Sequence, residues 1–150
     1  WVTYTYTDYR FKTYSKESFN SATSAPVKAY YRGHRVTGVT PNTLNAGLDL
    51  ETKSGFYFNA VLNYISRTPI NDANTYYQHA YTLLASKIGY RIALKQVEIN
   101  VFAGGRNLLN ASYSSFVNIN ADESGSPIFY NPSPARNFYG GLMLKYRFHK

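Results

Sequence analysis

Asn137-Phe138-Tyr139-Gly140-Gly141-Leu142-Met143-Leu144-Lys145-Tyr146-Arg147-Phe148 is the stretch on which the fold turns. It alternates with the period of a β-strand, whose successive side chains point to opposite faces. Phe138, Leu142, Leu144, Tyr146 and Phe148 share one face with Gly140. Tyr139, Met143, Lys145 and Arg147 share the other with Gly141. An aromatic-girdled strand with one greasy and one charged face, near the C-terminus, suits the wall of an outer-membrane β-barrel. There lipid meets one side and a wet lumen the other.

The same alternation recurs upstream. Leu44, Ala46, Leu48 and Leu50 alternate with Asn45, Gly47, Asp49 and Glu51. Phe56, Phe58, Ala60, Leu62 and Tyr64 stand opposite Tyr57, Asn59 and Asn63. Leu84, Ile88 and Tyr90 oppose Lys87, Gly89 and Arg91, and Val97, Ile99, Val101 and Ala103 oppose Glu98, Asn100 and Phe102. A Thr- and Tyr-rich run from Val2 to Tyr14 makes a further strand. Helical spacing of apolar residues is scarce. The predicted fold is all-β, an antiparallel up-and-down meander of about six strands. The strands cover roughly 2–14, 43–51, 55–66, 77–91, 96–107 and 137–148.

The connections sort by length. Tight turns fall near 52–55 and 93–95, and long connections run over 15–42, 67–76 and 109–136. In a meander, alternate connections share an end, so every long loop is predicted at one end and every tight turn at the other. Outer-membrane barrels have this asymmetry, with short periplasmic turns and long extracellular loops. A Greek-key sandwich has no reason for it.

Composition agrees. There are 16 Tyr and 9 Phe, and charged residues are only 16%, against a usual quarter. Composition by itself fits an aromatic-rich sandwich equally well. The net charge of +8 is spread over single Lys and Arg residues, so no basic patch for nucleic acid is predicted. There is no cysteine, hence no disulfide framework or thiolate metal site. His34, His79 and His149 are isolated and do not make a metal site. No nucleophile elbow or phosphate loop exists, and Asp122-Glu123 reads as a solvated loop tip. Gly104-Gly105 and Gly140-Gly141, inside strands, mark bends or close backbone approach. Trp1-Val2-Thr3-Tyr4 is no signal peptide. It reads as mid-strand, so the chain is expected to be cut from something longer.

Two pieces of the last third resemble the C-terminal end of a TonB-dependent outer-membrane receptor. One is Gly105-Arg106-Asn107-Leu108-Leu109-Asn110 with Tyr113 beyond it. The other is Pro134-Ala135-Arg136-Asn137-Phe138-Tyr139-Gly140-Gly141 running to Phe148. Upstream, Gly38-Val39-Thr40-Pro41-Asn42 resembles the step that precedes a strand in these barrels. His149 and Lys150 follow the terminal aromatic, where family members stop, which leaves room for a one-register shift of the assembly signal.

The resemblance implies one arc, residues 1–150, of a barrel of about 22 strands, with plug domain and TonB box absent from this sequence. It implies a transporter rather than an enzyme, without a cofactor. The cargo would be a scarce nutrient such as an iron–siderophore chelate, haem, cobalamin or a glycan. Implied partners are outer-membrane lipid, the plug and remaining strands, TonB and the barrel-assembly machinery, the last reading Gly141, Leu144, Tyr146 and Phe148 as its signal. Candidate ligand contacts are the loop aromatics Tyr113, Phe116, Phe129 and Tyr130. Lys87, Arg91, Lys145 and Arg147 are predicted to face the lumen, against the plug or along the passage. Two rivals remain open. One is a small closed outer-membrane barrel of other function. The other is a soluble carbohydrate-binding sandwich with Leu44, Leu48, Phe56, Phe58, Leu142 and Leu144 facing one another in its core.

Overall fold

The computed structural model describes residues 1–20, 22–120 and 130–148. Asp122, Glu123, Phe129 and His149 lie outside the described residues, as does the side chain of Tyr130. The strands, in chain order, are β1 (Val2–Tyr6), β2 (Ser15–Phe19), β3 (Pro26–Tyr30), β4 (Asn42–Glu51), β5 (Phe56–Ile65), β6 (Thr68–Pro69), β7 (Tyr77–Gln78), β8 (Tyr81–Ala93), β9 (Val97–Arg106), β10 (Ser114–Val117), β11 (Tyr130–Pro132) and β12 (Asn137–Tyr146). Six of them form one sheet in the order β1-β4-β5-β8-β9-β12. Every pairing in it is antiparallel, so the sheet is a meander. It is not closed: β1 and β12 are its two edges.

Register shows why the alternation matters. Directly opposed residues share a face. Phe58, Ile88, Ala103 and Gly140 make one row across β5, β8, β9 and β12. Leu50 extends that row onto β4. The parallel rows hold Val2, Tyr4, Leu44, Ala46, Leu48, Leu62, Leu84, Tyr90, Ile92, Ile99, Val101, Leu142, Leu144 and Tyr146. The seven charged residues within the six strands are Asp49, Glu51, Lys87, Arg91, Glu98, Arg106 and Lys145. All lie on the opposite face.

Among the described residues, the apolar face has no second layer on it. Leu48 and Val101 are each 50% exposed, Leu142 63% and Leu144 65%. The expectation attached to the sandwich, apolar side chains opposed across a core, therefore fails. Leu44, Leu48, Phe56, Phe58, Leu142 and Leu144 lie side by side on one face of one sheet. The most deeply buried residues, Pro69 and Ile70, sit in a loop above the sheet, and Tyr57 on its polar face.

Tight turns close β4 to β5 and β8 to β9 at one end. Gly55 in the first turn has φ +100, a backbone that favours glycine, and an added Cβ would strike the Arg91 carbonyl. The long connections 7–41, 66–80 and 107–136 leave from the other end. Each carries a small hairpin or ladder of its own: β2-β3, β6-β7 and β10-β11. The first strand is shorter than its sequence pattern. Residues beyond Tyr6 leave the sheet and pair within the first connection, with Val36 N donating to Tyr9 O at 2.9 Å and Phe11 N to His34 O at 3.0 Å. Likewise Tyr77–Gln78 separates from β8 and pairs with Thr68–Pro69.

Candidate functional site

Two constructions stand out: a cap made of the three long connections, and a paved polar face beneath it.

The cap centres on Asp72, which is 7% exposed. Its carboxylate accepts from the Thr37 hydroxyl of the first connection and from Asn120 Nδ2 of the third at 3.1 Å. Its backbone N–H donates back to Asn120 Oδ1 at 2.8 Å, and its carbonyl lies 3.0 Å from His34 Nδ1. Asn74 makes a second two-way clasp, accepting from Arg35 N at 2.7 Å and donating to Arg35 O at 3.0 Å. Asn120 N also donates to Ile70 O, and Gly38 N to Pro69 O, both at 2.8 Å. Asn and Asp suit this work because a short side chain can satisfy backbone groups in irregular chain. Asn74 and Asn120 both adopt positive φ, which Asn tolerates better than most residues.

Between these braces lies a polar cleft of about 240 Å³, lined by Lys16, Ser18, Tyr31, Asn71, Asp72 and Asn120 with two alanines. Its wall continues into an aromatic run. Phe11 and Tyr14 have centroids 4.7 Å apart, Tyr14 and Tyr31 5.7 Å, and Tyr31 and His34 5.8 Å. Partial burial raises the pKa of the Tyr14 hydroxyl, and the Asp72 carboxylate raises it further. At the outer edge, the Arg10 hydrogen bond at 3.1 Å holds the Asp8 carboxyl below its ordinary value, with Arg35 3.6 Å away. A rigid carboxylate, two amides, a hydroxyl and an aromatic wall can orient a polar ligand of small size.

Of the loop aromatics singled out in the sequence, Tyr113 and Phe116 do not line this cleft. Tyr113 stacks on Tyr81 with centroids 4.9 Å apart. Phe116, 60% exposed, sits on β10 opposite Asn131 and lines a separate hollow with Gly38, Ile70 and Ile119. The Tyr130 backbone pairs with Val117. Asn107 ends β9 as a cap: its amide donates to Ala111 O at 2.9 Å and to Pro134 O at 3.2 Å, holding both ends of the third connection. The residues missed in the sequence are Asp72, Asn120, Tyr14 and Tyr31. Their only local signal is the turn-rich run Asn71-Asp72-Ala73-Asn74.

The polar face is paved by aromatic rings lying over opposed glycines. Tyr57 covers Gly89, Tyr139 covers Gly104, Phe102 covers Gly141 and Trp1 covers Gly47. Cations rest on the rings. Lys87 Nζ is 4.4 Å from the Phe102 centroid, the Arg91 guanidinium 4.5 Å from Tyr57, and that of Arg106 5.8 Å from Tyr139. These distances favour cation–π attraction. Tyr57 OH donates to Asn100 at 3.1 Å, and Asn59 to Asp49 at 2.6 Å. The four predicted inward cations share this face: Arg91 is paired to Glu51, Arg147 to Glu98 at 3.2 Å, and Lys145 stands opposite Glu98. Of the predicted assembly signal, Gly141 lies on the polar face under Phe102, and Leu144 and Tyr146 on the apolar face. Tyr146 and Phe148 pack edge to face at 4.8 Å.

The paving predicts a clear mutational result. Gly89→Ala puts a methyl group into the Tyr57 ring, and overpacking of that kind costs about 1–3 kcal/mol. The urea midpoint in detergent is expected to fall accordingly. Gly140→Ala, whose added carbon meets the Phe102 carbonyl at 3.2 Å, is expected to cost less. Equal midpoints for the two would refute the close-approach role.

No protein-family model matches the chain.

Proposed function

We propose that this chain forms an arc of the wall of an outer-membrane receptor barrel, of the TonB-dependent kind its sequence resembles. Such a receptor imports a scarce nutrient such as an iron–siderophore complex and does no covalent chemistry. One observation carries the reading: all seven charged residues of the six-stranded sheet lie on one face, and among the described residues nothing covers the charge-free face opposite. A large contiguous apolar surface is rare on soluble monomers. Hydrocarbon accepts it without cost, and a lumen accepts the other face. The raw edges β1 and β12 favour continuation by neighbouring strands. The braced cap, all at one end, would be the outer surface that captures cargo.

The test is membrane insertion. Refolded with dilauroyl phosphatidylcholine vesicles, the protein should float with them in a density gradient and resist extraction by alkaline carbonate. A compact monomer that stays in the aqueous fraction would refute the proposal.

A further inference from the structure

The polar face carries an unbalanced pair of cations. Arg91, Arg147 and Lys145 each have a carboxylate beside or opposite them. Lys87 and Arg106 have no ion-pair partner among the described residues; each makes only ring contacts. Asp49, the acid on the row of Lys87, stands two strands away and is engaged by Asn59. Lys87 is opposite Gly104, so Arg106 is its diagonal neighbour on β9. Such neighbours lie roughly 7–8 Å apart at the backbone. Two cations without a counter-ion on one face of the sheet attract an anion.

Both cations border the same recess. It holds about 150 Å³ and is lined by Val61 and Ala85 with Asn59, Lys87, Arg106 and Tyr139. Val61 and Ala85 are paired across β5 and β8 on the polar face and make a small greasy patch beside the two cations. The Tyr139 ring lies flat over Gly104 and forms the side wall. The recess therefore offers charge to one end of a ligand and flat apolar contact to the rest.

We propose that the Lys87–Arg106 recess is a binding site for a small aromatic carboxylate, its carboxylate between the two cations and its ring against Val61, Ala85 and Tyr139. This site is independent of the membrane reading, because it needs only the register and side chains of β5, β8, β9 and β12. Its occupant is distinct from anything held in the cap cleft at the end of the sheet.

The probe is 4-fluorobenzoate, followed by fluorine NMR line broadening on the full chain in detergent, with protein-free micelles as the blank. Saturable binding is expected for the wild type, and none for the neutral 4-fluorobenzamide. Lys87→Gln and Arg106→Gln should each weaken binding by about tenfold, the loss of one charge-assisted hydrogen bond, and the double variant should show no saturation. Lys87→Arg keeps the charge and should retain binding, which separates loss of the site from loss of the fold. Lys145→Gln should bind as the wild type does. Absent binding in the wild type, equal broadening of the benzamide, or binding that survives the double substitution would overturn the proposal.

Discussion

Ile88→Arg is expected to reduce the stability of the protein in lipid vesicles by about 2–4 kcal/mol, the cost of a cation at the bilayer midplane. Ile88 lies in the middle of the central strand β8, flanked by Phe58 and Ala103 on the apolar face. In lipid, an arginine there must reach an interface or thin the bilayer. In water the same position is already 47% exposed, and a surface change of this kind costs within about 0.5 kcal/mol. The two environments therefore give different answers to one substitution. Met143→Arg supplies the control: Met143 is 58% exposed and lies on the polar face opposite Asn100. The urea midpoint in vesicles should fall for Ile88→Arg and barely move for Met143→Arg. Equal, small effects would mean that hydrocarbon does not touch the Ile88 face.

That prediction could be framed from the sequence because strand alternation survives into the sheet without slippage. Leu44 to Leu50, Phe56 to Tyr64 and Phe138 to Tyr146 keep their faces over their whole length. The pattern is local, and antiparallel pairing with tight turns preserves it. It misleads where strand-like residues serve a loop. Thr7 to Phe11 look like more of β1, yet their backbone groups are taken up by Pro41, Val36 and His34. The alternation there is real, but its partner is a loop segment and not the sheet.

The cap was less legible for a different reason. Asp72 meets Asn120 across 48 residues and Thr37 across 35. No spacing rule links them, and each alone looks like an ordinary turn former. The paving of the polar face also depends on register. The glycines 104 and 141 could be read as sites of close approach, but that Tyr139 and Phe102 are what approach them follows only once β9 and β12 are paired. Cations above the rings then complete a layer in which charge, ring and backbone are stacked in order. Such a layer keeps a wide face flat and polar without long side chains collapsing across it.

Asp72→Ala is expected to loosen the cap while leaving the sheet intact. The substitution removes the acceptor for the Thr37 hydroxyl and for Asn120 Nδ2 in a part-buried site. A donor left unsatisfied costs about 1–3 kcal/mol when fully buried, and these part-buried donors lie toward the lower end. The loss is local, because none of these groups belongs to the six-stranded sheet. Amide hydrogen exchange should report it: Gly38 N and Asn120 N, bonded to Pro69 O and Ile70 O, should exchange about a hundredfold faster. Amides of β5 and β8 should be unchanged. The Tyr14 hydroxyl supplies a second readout, since part of its raised pKa comes from Asp72; in the variant it should titrate at lower pH. Asp72→Asn keeps one oxygen acceptor that Asp72→Ala lacks, so it should fall between. A preorganised cleft loses affinity when its walls must be ordered on binding, so any cargo held between Tyr31 and Asn120 should bind more weakly to Asp72→Ala. Unchanged exchange at Gly38 and Asn120 would show that the three connections do not depend on this carboxylate, and the cleft between them would then have to be held by the Asn74–Arg35 clasp and the Pro69–Ile70 core.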